Sequence, residues 1–487
     1  MDTRVFDFTV ITGIIKDLLA YLDVTLLVAV TSIVIGSLWG MGLAGIKITG
    51  RPWAKGLVNI YTYTMRCTPS IVLLFIVFYG LPVLVRGLFH YSINDMHRAV
   101  FAIITFALLF GAYISEVFRA AYLAVPKGQY EAAVSIGIAP WQAVWHVILP
   151  QAARIALPNF GNSVINLLKE GSLAYTIGLV DMLGRGNMII AQHYGAYGIE
   201  TYLACILIYW LMTLLLEKGF AKLELHFSKG VTVKKKAKKP AWLRWHWRGA
   251  KSMDLNIEFM QETLPLVVKG VGVTMELTVL SLLLATPFAL YFAVIRLKEI
   301  RGISTLVKGY ISFVRGTPII LQILLLYSLL PSLLNVLVKA AGWEINVFEA
   351  VDPFIYAVFI FTLNTIALLT EVFRSALGSV SKDQLEAGLV AGLSELQTYT
   401  HIIIPQALVV ALPSLCNITV NLVKGTSLAF LMTVKDIMAI GKIAASYGYN
   451  YLEAYLDVFV VYIFLCTLIQ LAYHFAEQHL GRFRVAR

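Results

Sequence analysis

Charge is what this 487-residue sequence has least of. Only 14% of its residues are Asp, Glu, Lys or Arg, against ~25% in a soluble globular chain. A chain so short of charge cannot clothe a water-facing surface all round, which excludes an ordinary soluble fold. Cysteine is scarce as well. Cys67, Cys205, Cys416 and Cys466 lie in or beside apolar segments without paired spacing, which excludes a disulfide framework and a metal site built on cysteines; they read as small core residues. No G-x-x-x-x-G-K followed by Ser or Thr occurs, so no phosphate loop is available to cradle a nucleotide. The opening "MDTRVFDFTVITGIIKDLL" lacks a basic region followed by a small-residue cleavage site and reads as mature chain.

What is present is apolar. Hydrophobic residues make up 59% of the chain and the mean hydropathy is +0.77. The runs 24–46, 67–85, 99–115, 277–295, 316–338 and 353–370 are long enough to cross a ~30 Å hydrocarbon core as helices. Shorter runs at 201–216 and 458–473 become adequate with their flanks. The expected fold class is an all-α polytopic membrane protein. Much of the +11 net charge falls in "KKKAKKPAWLRWHWRGAK", 234–251. A nucleic-acid patch and a cytoplasmic loop obeying the positive-inside bias both fit that run. In a membrane chain we take the loop, with Trp242, Trp245 and Trp247 at the headgroups and no nucleic-acid partner.

The chain reads twice. "SEVFRAAYLAVPKGQYEAAVSIGIAPWQAVWHVILPQAARIALPNFGNSVINLLKEGSLA" at 115–174 aligns without a gap to "TEVFRSALGSVSKDQLEAGLVAGLSELQTYTHIIIPQALVVALPSLCNITVNLVKGTSLA" at 370–429. "MRCTPS" at 65–70 matches "VRGTPI" at 314–319, so six extra residues belong to the second copy, within 331–352. Spans are expected near 22–46, 57–86, 97–122, 147–182 and 200–218, then near 273–297, 307–338, 352–377, 402–437 and 452–475. The expected parts are a first half at 1–226, a basic Trp-containing linker at 227–253 and a second half at 254–487.

After the third span of each half comes a polar segment rich in helix formers, Glu131 to Pro150 and Glu386 to Pro405. Each keeps Glu, then Gly six residues later (Gly137, Gly392), then Pro thirteen beyond that. The pattern predicts a short helix, a glycine-permitted turn and a second short helix running into the membrane. One copy could be an ordinary amphipathic connector; two copies at fixed spacing point to a docking surface. The Glu-Ala-Ala, Gly and Ile-Leu-Pro of this loop resemble the signature loop of binding-protein-dependent ABC importer permeases of type I. "RCTP" and "RGTP", "FYGLP" and "YSLLP", "ILPQAARIALPNFGN" and "LLKEGSLA" resemble the polar amino-acid branch. That resemblance implies two homologous five-helix permease halves in tandem in one chain, roughly parallel, with a pseudo-two-fold axis along the membrane normal.

The same resemblance implies a set of partners. Glu131, Ala132 and Gly137, with Glu386, Ala387 and Gly392, would dock two separate ABC ATPase subunits that bind ATP and Mg. An extracytoplasmic amino-acid-binding protein would deliver the cargo, a small-molecule amino acid. The chain itself would be no enzyme, would carry no cofactor, metal or catalytic residue, and would lie in lipid as a multi-pass protein of the bacterial plasma (inner) membrane. Parallel halves of five spans pose a parity problem: the linker region 227–270 must supply a further crossing or the second half is inverted. An inverted half would turn its docking loop away from ATP, so we take the halves as parallel.

Charges inside the apolar runs come last. Insertion costs at least ~2.5 kcal/mol for such a group at the bilayer centre, so each should line a cavity or have a partner. Glu116/Arg119 and Glu371/Arg374 are i, i+3 pairs near the end of the third span, read as structural ion pairs. Arg66 and Arg315 fall about nine residues into the second span before a Thr-Pro step. Capture of a carboxylate and satisfaction by carbonyls at the proline both fit each of them. The fourth span is expected to break at Pro150, Pro158 and Gly161 and again at "EGS" or "GTS", and broken helices bind solutes through freed backbone groups. The resemblance places the substrate carboxylate on the Arg-x-Thr-Pro segment and its ammonium on the acid of Lys-acid-x-Ser-Leu. The first half has both, Arg66 with Thr68 and Glu170 with Ser172; the second keeps Arg315 and Thr317 but has Gly425 for the acid. One central site, mainly in the first half, is expected. Ser163 stands where basic-amino-acid members of the family tend to carry a second acid, which argues for a neutral polar or small amino acid. An ion-coupled secondary amino-acid transporter with tandem repeats is the competing reading, since it too uses paired repeats and midplane charges.

Overall fold

The computed structural model describes residues 6–227, 255–343, 345 and 347–481, and every regular element among them is helical. They fall into two compact units, one drawn from residues 7–255 and one from Phe6 and residues 256–481. Apart from Phe227, the linker 227–253 lies outside the described residues.

In the first unit, α1 (Phe8–Leu19) and α2 (Leu22–Thr49) precede α3 (Pro52–Cys67) and α4 (Ser70–Phe89). Then come α5 (Arg98–Ala124), the short α6 (Lys127–Ser135) and α7 (Pro140–Ala143), α8 (Leu149–Gly171), α9 (Met182–Gln192) and α10 (Gly198–Phe227). The unit is built on α2 packed along α5. Gly36 and Gly40 permit it: a Cβ on Gly36 would lie 2.9 Å from the Ala107 carbonyl oxygen, and one on Gly40 2.2 Å from the Ile114 side chain. Small residues at a helix contact let backbones approach in lipid, where no hydrophobic force drives helices together.

The second unit repeats the order. Its helices are α11 (Ile257–Leu297), α12 (Ile303–Gly316), α13 (Ile319–Ala340), α14 (Val347–Ala350), α15 (Pro353–Gly378), α16 (Lys382–Val390), α17 (Glu395–Thr398), α18 (Ile404–Gly425), α19 (Ile437–Gly448) and α20 (Tyr451–Gly481). Ala285 and Ala289, wholly buried, stand where the first unit has Gly36 and Gly40. The six extra residues appear where the repeat offset puts them: α13 ends two residues later than α4 does, and α14 occupies the longer connection.

Among the described residues nine helices or helical runs are long and apolar enough to cross a membrane. In the first unit these are α2, α4, α5 and α10; the fourth span expected at 147–182 is α8, whose Arg154, Lys169, Glu170 and line of asparagines (Asn159, Asn162, Asn166) make it too polar to qualify. Its counterpart in the second unit does qualify, with Val409 and Gly425 at the positions of Arg154 and Glu170.

Three expectations need correction. The second spans, 57–86 and 307–338, are each two helices. Thr68 and Thr317 have ψ near 133° and 147°, because a residue before proline is pushed out of the α region, and the chain restarts at Ser70 and Ile319. Arg66 and Arg315 therefore sit in the last turn of a short helix rather than partway along a continuous span. The fourth span does not break at Pro158 or Gly161; α8 runs through both, and Gly161 serves to admit the Phe220 ring, 2.7 Å from where a Cβ would be. Pro150 opens α8 after a single widened turn at Val144–Ile148, repeated at Tyr399–Ile403, and such turns absorb the missing proline donor. The later break is present: α8 and α18 tighten into 3₁₀ turns at Ser172–Ile177 and Thr426–Met432. Finally, α11 begins at Ile257, well before the span expected near 273–297.

Candidate substrate site and docking loops

The break between α3 and α4 exposes the N-terminal end of α4, and Glu170 comes to it. The Ser70 hydroxyl donates to Glu170 Oε2 at 3.0 Å, across 100 residues of sequence. Ser70 is the first residue of α4, so the carboxylate lies at the positive end of that helix, where the unsatisfied amides favour an anion. Glu170 is half-buried at the end of α8, with the 3₁₀ turn directly behind it. Arg66 is exposed, four residues before Ser70, and its guanidinium lies over the Tyr113 ring at 5.9 Å.

The remaining residues of the expected site have backbone work to do. Thr68 and Thr317 are buried and donate to the carbonyls of Thr64 and Phe313, at 2.8 and 3.0 Å. The wholly buried Ser172 donates to the Lys169 carbonyl at 2.6 Å, and Ser427 does the same to Lys424. Because these bonds recur in both units, they hold the shared scaffold. Ser163, half-buried on α8, donates to the Asn159 carbonyl at 2.9 Å. Arg315 is exposed at the end of α12.

The second unit fills the same region differently. Ile319 replaces Ser70 and Gly425 replaces Glu170. Its polar group is Gln322, where the first unit has Leu73. The buried Gln322 amide donates to the Val314 carbonyl at 2.9 Å and the Thr317 hydroxyl at 2.8 Å, and accepts from Asn364 at 3.0 Å. Ser70 and Gln322 both escaped the sequence reading. Each lies next to a motif in the chain, but its partner lies tens of residues away.

At the other end, Glu116 and Glu371 form the expected pairs with Arg119 and Arg374, each 2.9 Å. Each glutamate also takes a second partner from the end of the unit's first long helix: Lys47 pairs with Glu116, and Arg296 with Glu371 at 2.9 Å. Lys47 and Arg296 are thus largely buried. Beyond these triads come the loops expected to dock ATPase subunits. Gly137 and Gly392 have φ +88° and +84° and turn the chain between the short helices, a conformation that costs other residues dearly. Glu131, Ala132, Glu386 and Ala387 are exposed on α6 and α16. The loops pack by exchange of a methyl: Ala133 and Ala143 in one, Gly388 and Thr398 in the other, where a Cβ on Gly388 would lie 2.4 Å from Thr398. The second loop has further ties, a Ser394/Gln397 capping box and a Lys298–Glu395 pair at 2.7 Å.

Two all-helical repeats, each with a broken second span and a glycine-turned loop between the third and fourth, define a tandem membrane permease. The chain belongs to the family of binding-protein-dependent transport system inner membrane components, which it matches at 32–223 and again at 267–482. It is 39% identical over 229 residues to the L-cystine transport system permease protein TcyL of Bacillus subtilis, covering 47% of this chain and 95% of that one. It is 34% identical to the probable amino-acid ABC transporter permease protein PatM of Vibrio harveyi, covering 47% and 98%. The nopaline transport system permease protein NocQ of Agrobacterium fabrum is 36% identical, with 42% and 89% covered. Each relative is nearly spanned by less than half of this chain, as a fusion of two permease halves requires. The protein is a multi-pass component of the bacterial inner membrane, and its family supplies the membrane part of ABC transport systems.

Proposed function

We propose that this chain is the transmembrane pathway of an ATP-driven amino-acid importer. In this reading two separate ATPase subunits dock at 131–150 and 386–405, binding ATP and Mg, and an extracytoplasmic binding protein delivers the substrate. The observation that carries it is the pair of glycine-turned loops, each following a half-buried ion triad, on a scaffold whose relatives are amino-acid permeases. ATP-driven closure of the ATPases then switches the halves between outward- and inward-facing states.

One amino-acid site lies in the first half. Arg66 takes the substrate carboxylate in bidentate fashion, and Glu170, held by Ser70 at the α4 terminus, takes the ammonium. Gly425 leaves the second half without an acid at the position of Glu170, and Ile319 without the Ser70 hydroxyl. The substrate class is a neutral polar amino acid; Ser163 in place of an acid and the cystine permease among the relatives support it. The test is uptake of a panel of labelled amino acids, L-cystine included, by proteoliposomes holding the complete complex with its binding protein. Uptake that requires ATP and is indifferent to ion gradients is expected; uptake that survives ATP removal and collapses with the gradient contradicts the reading.

A further inference from the structure

The two Arg-x-Thr-Pro helices are held by different neighbours. In the first unit the buried Lys47 ammonium bonds two helices at once: it pairs with Glu116 on α5 and donates to the Thr62 hydroxyl on α3 at 2.7 Å. Thr62 and Arg66 are i, i+4 on α3, one turn apart on the same face. Glu116 in turn holds Arg119, six residues before Val125, the extended residue that ends α5 and leads to the first loop. A continuous set of bonds therefore runs from the α3 turn carrying Arg66, through Lys47 and Glu116, to the helix end that leads into the loop.

In the second unit the position of Thr62 cannot make this bond. Arg296 replaces Lys47 and still pairs with Glu371, but the residue matching Thr62 is Ile311, buried and without a polar group; the Arg296 Nε is buried with no partner. The Arg315 helix is instead fastened sideways, through Gln322 to Asn364 in the middle of α15. Leu73 and Leu109 stand at those two positions in the first unit and cannot reproduce that fastening.

We propose that Thr62 is a positioning residue that makes the Arg66 helix move with the first docking loop through Lys47, and that only the first half signals substrate occupancy to an ATPase in this way. The inference rests on the importer reading above. A Thr at this point supplies an acceptor of fixed direction on a rigid helix, which two like-charged side chains, Lys47 and Arg66, could not supply to one another. The helix carrying the cargo's carboxylate is thereby tied to the ATPase side, while its counterpart in the other half is tied to the span core.

Hydrogen–deuterium exchange on the complete purified complex, nucleotide-free and trapped with ATP and vanadate, tests it. In the wild type, trapping changes exchange at both docking loops and at 58–67, by roughly two- to tenfold in rate, with a smaller change at 307–316. Thr62→Val, nearly isosteric, keeps the change at 131–150 and loses it at 58–67; Thr62→Ser restores it. A Thr62→Val complex whose 58–67 segment still responds as in the wild type overturns the inference. So does a Thr62→Ser complex that behaves like Thr62→Val, which would mark a packing role only. Absence of any ATP-dependent change at either loop in the wild type overturns the importer reading itself, a result separable from the other two.

Discussion

Ser70 and Glu170 meet at 3.0 Å across a break that the sequence places in two separate motifs, and this contact joins the carboxyl-binding and ammonium-binding parts of the proposed site. A hydrogen bond to a charged group contributes about 1.5–3 kcal/mol. Ser70→Ala should therefore raise the KM for uptake by roughly tenfold, and Ser70→Thr should recover most of it. Initial-rate uptake across a range of substrate concentrations reads both; an unchanged KM in Ser70→Ala would mean that the contact does not serve the site.

Lys47 is a buried charge whose partner Glu116 cannot follow it out of the protein. Removing Lys47 leaves Glu116 with Arg119 alone, so the loss should fall below the about 3–5 kcal/mol of an uncompensated buried charge. Lys47→Met should lower the thermal unfolding temperature of the detergent-solubilised chain, and the double variant Lys47→Met/Glu116→Gln should regain part of the loss. Arg296→Lys, which installs the first unit's residue in the second, should be nearly neutral.

Gly137 and Gly392 adopt a left-handed conformation that disfavours residues with a Cβ by about 1–2 kcal/mol. A Cβ at either meets nothing within 4 Å, so the penalty is conformational and local. Gly137→Val and Gly392→Val should leave the fold intact while weakening retention of the ATPase subunits, measured as the ratio of ATPase to permease in the purified complex. Full retention in both would remove the loops from the docking surface.

Asp181 and Asp436 cap α9 and α19 through bonds of 2.8 Å to the amides of Gly184 and Ala439, and each leaves its second oxygen buried without a partner. Burial pushes both carboxyls up to about 7; Tyr209 and Cys205 face the first, Tyr462 the second. The folded chain then holds these protons to higher pH than the unfolded chain does. Stability from this source is full below the ordinary carboxylate range, falls as pH rises from about 4, and is lost once pH passes about 7. The unfolding temperature should drop between about pH 5 and about pH 8. Asp181→Asn/Asp436→Asn keeps two good caps and should flatten that dependence; an undiminished slope would assign it to other groups.

Much of this architecture was legible because its signals are local. The repeat, the insertion near 331–352, the helix–glycine–helix loops and the Glu116/Arg119 and Glu371/Arg374 pairs are all written in spacing, and all are present in the fold. The Thr-Pro break was visible as a motif but misjudged as a step inside a continuous helix. Pro158 and Gly161 carried the opposite error: breakers by propensity, they are tolerated because α10 packs Phe220 against the gap. Ser70–Glu170, Lys47–Thr62 and Gln322–Asn364 were beyond reach, since each pair is set by which helices the fold brings side by side.

The central claim is that Glu170 holds the cargo's amino group in the only half that has an acid there. Uptake by the complete complex in ATP-loaded proteoliposomes, wild type against Glu170→Gln, tests it most directly. The account predicts that Glu170→Gln abolishes uptake or reduces it by about tenfold or more, as loss of a charge-assisted bond requires, while the complex stays assembled and hydrolyses ATP. Wild-type uptake by Glu170→Gln would contradict the single first-half site.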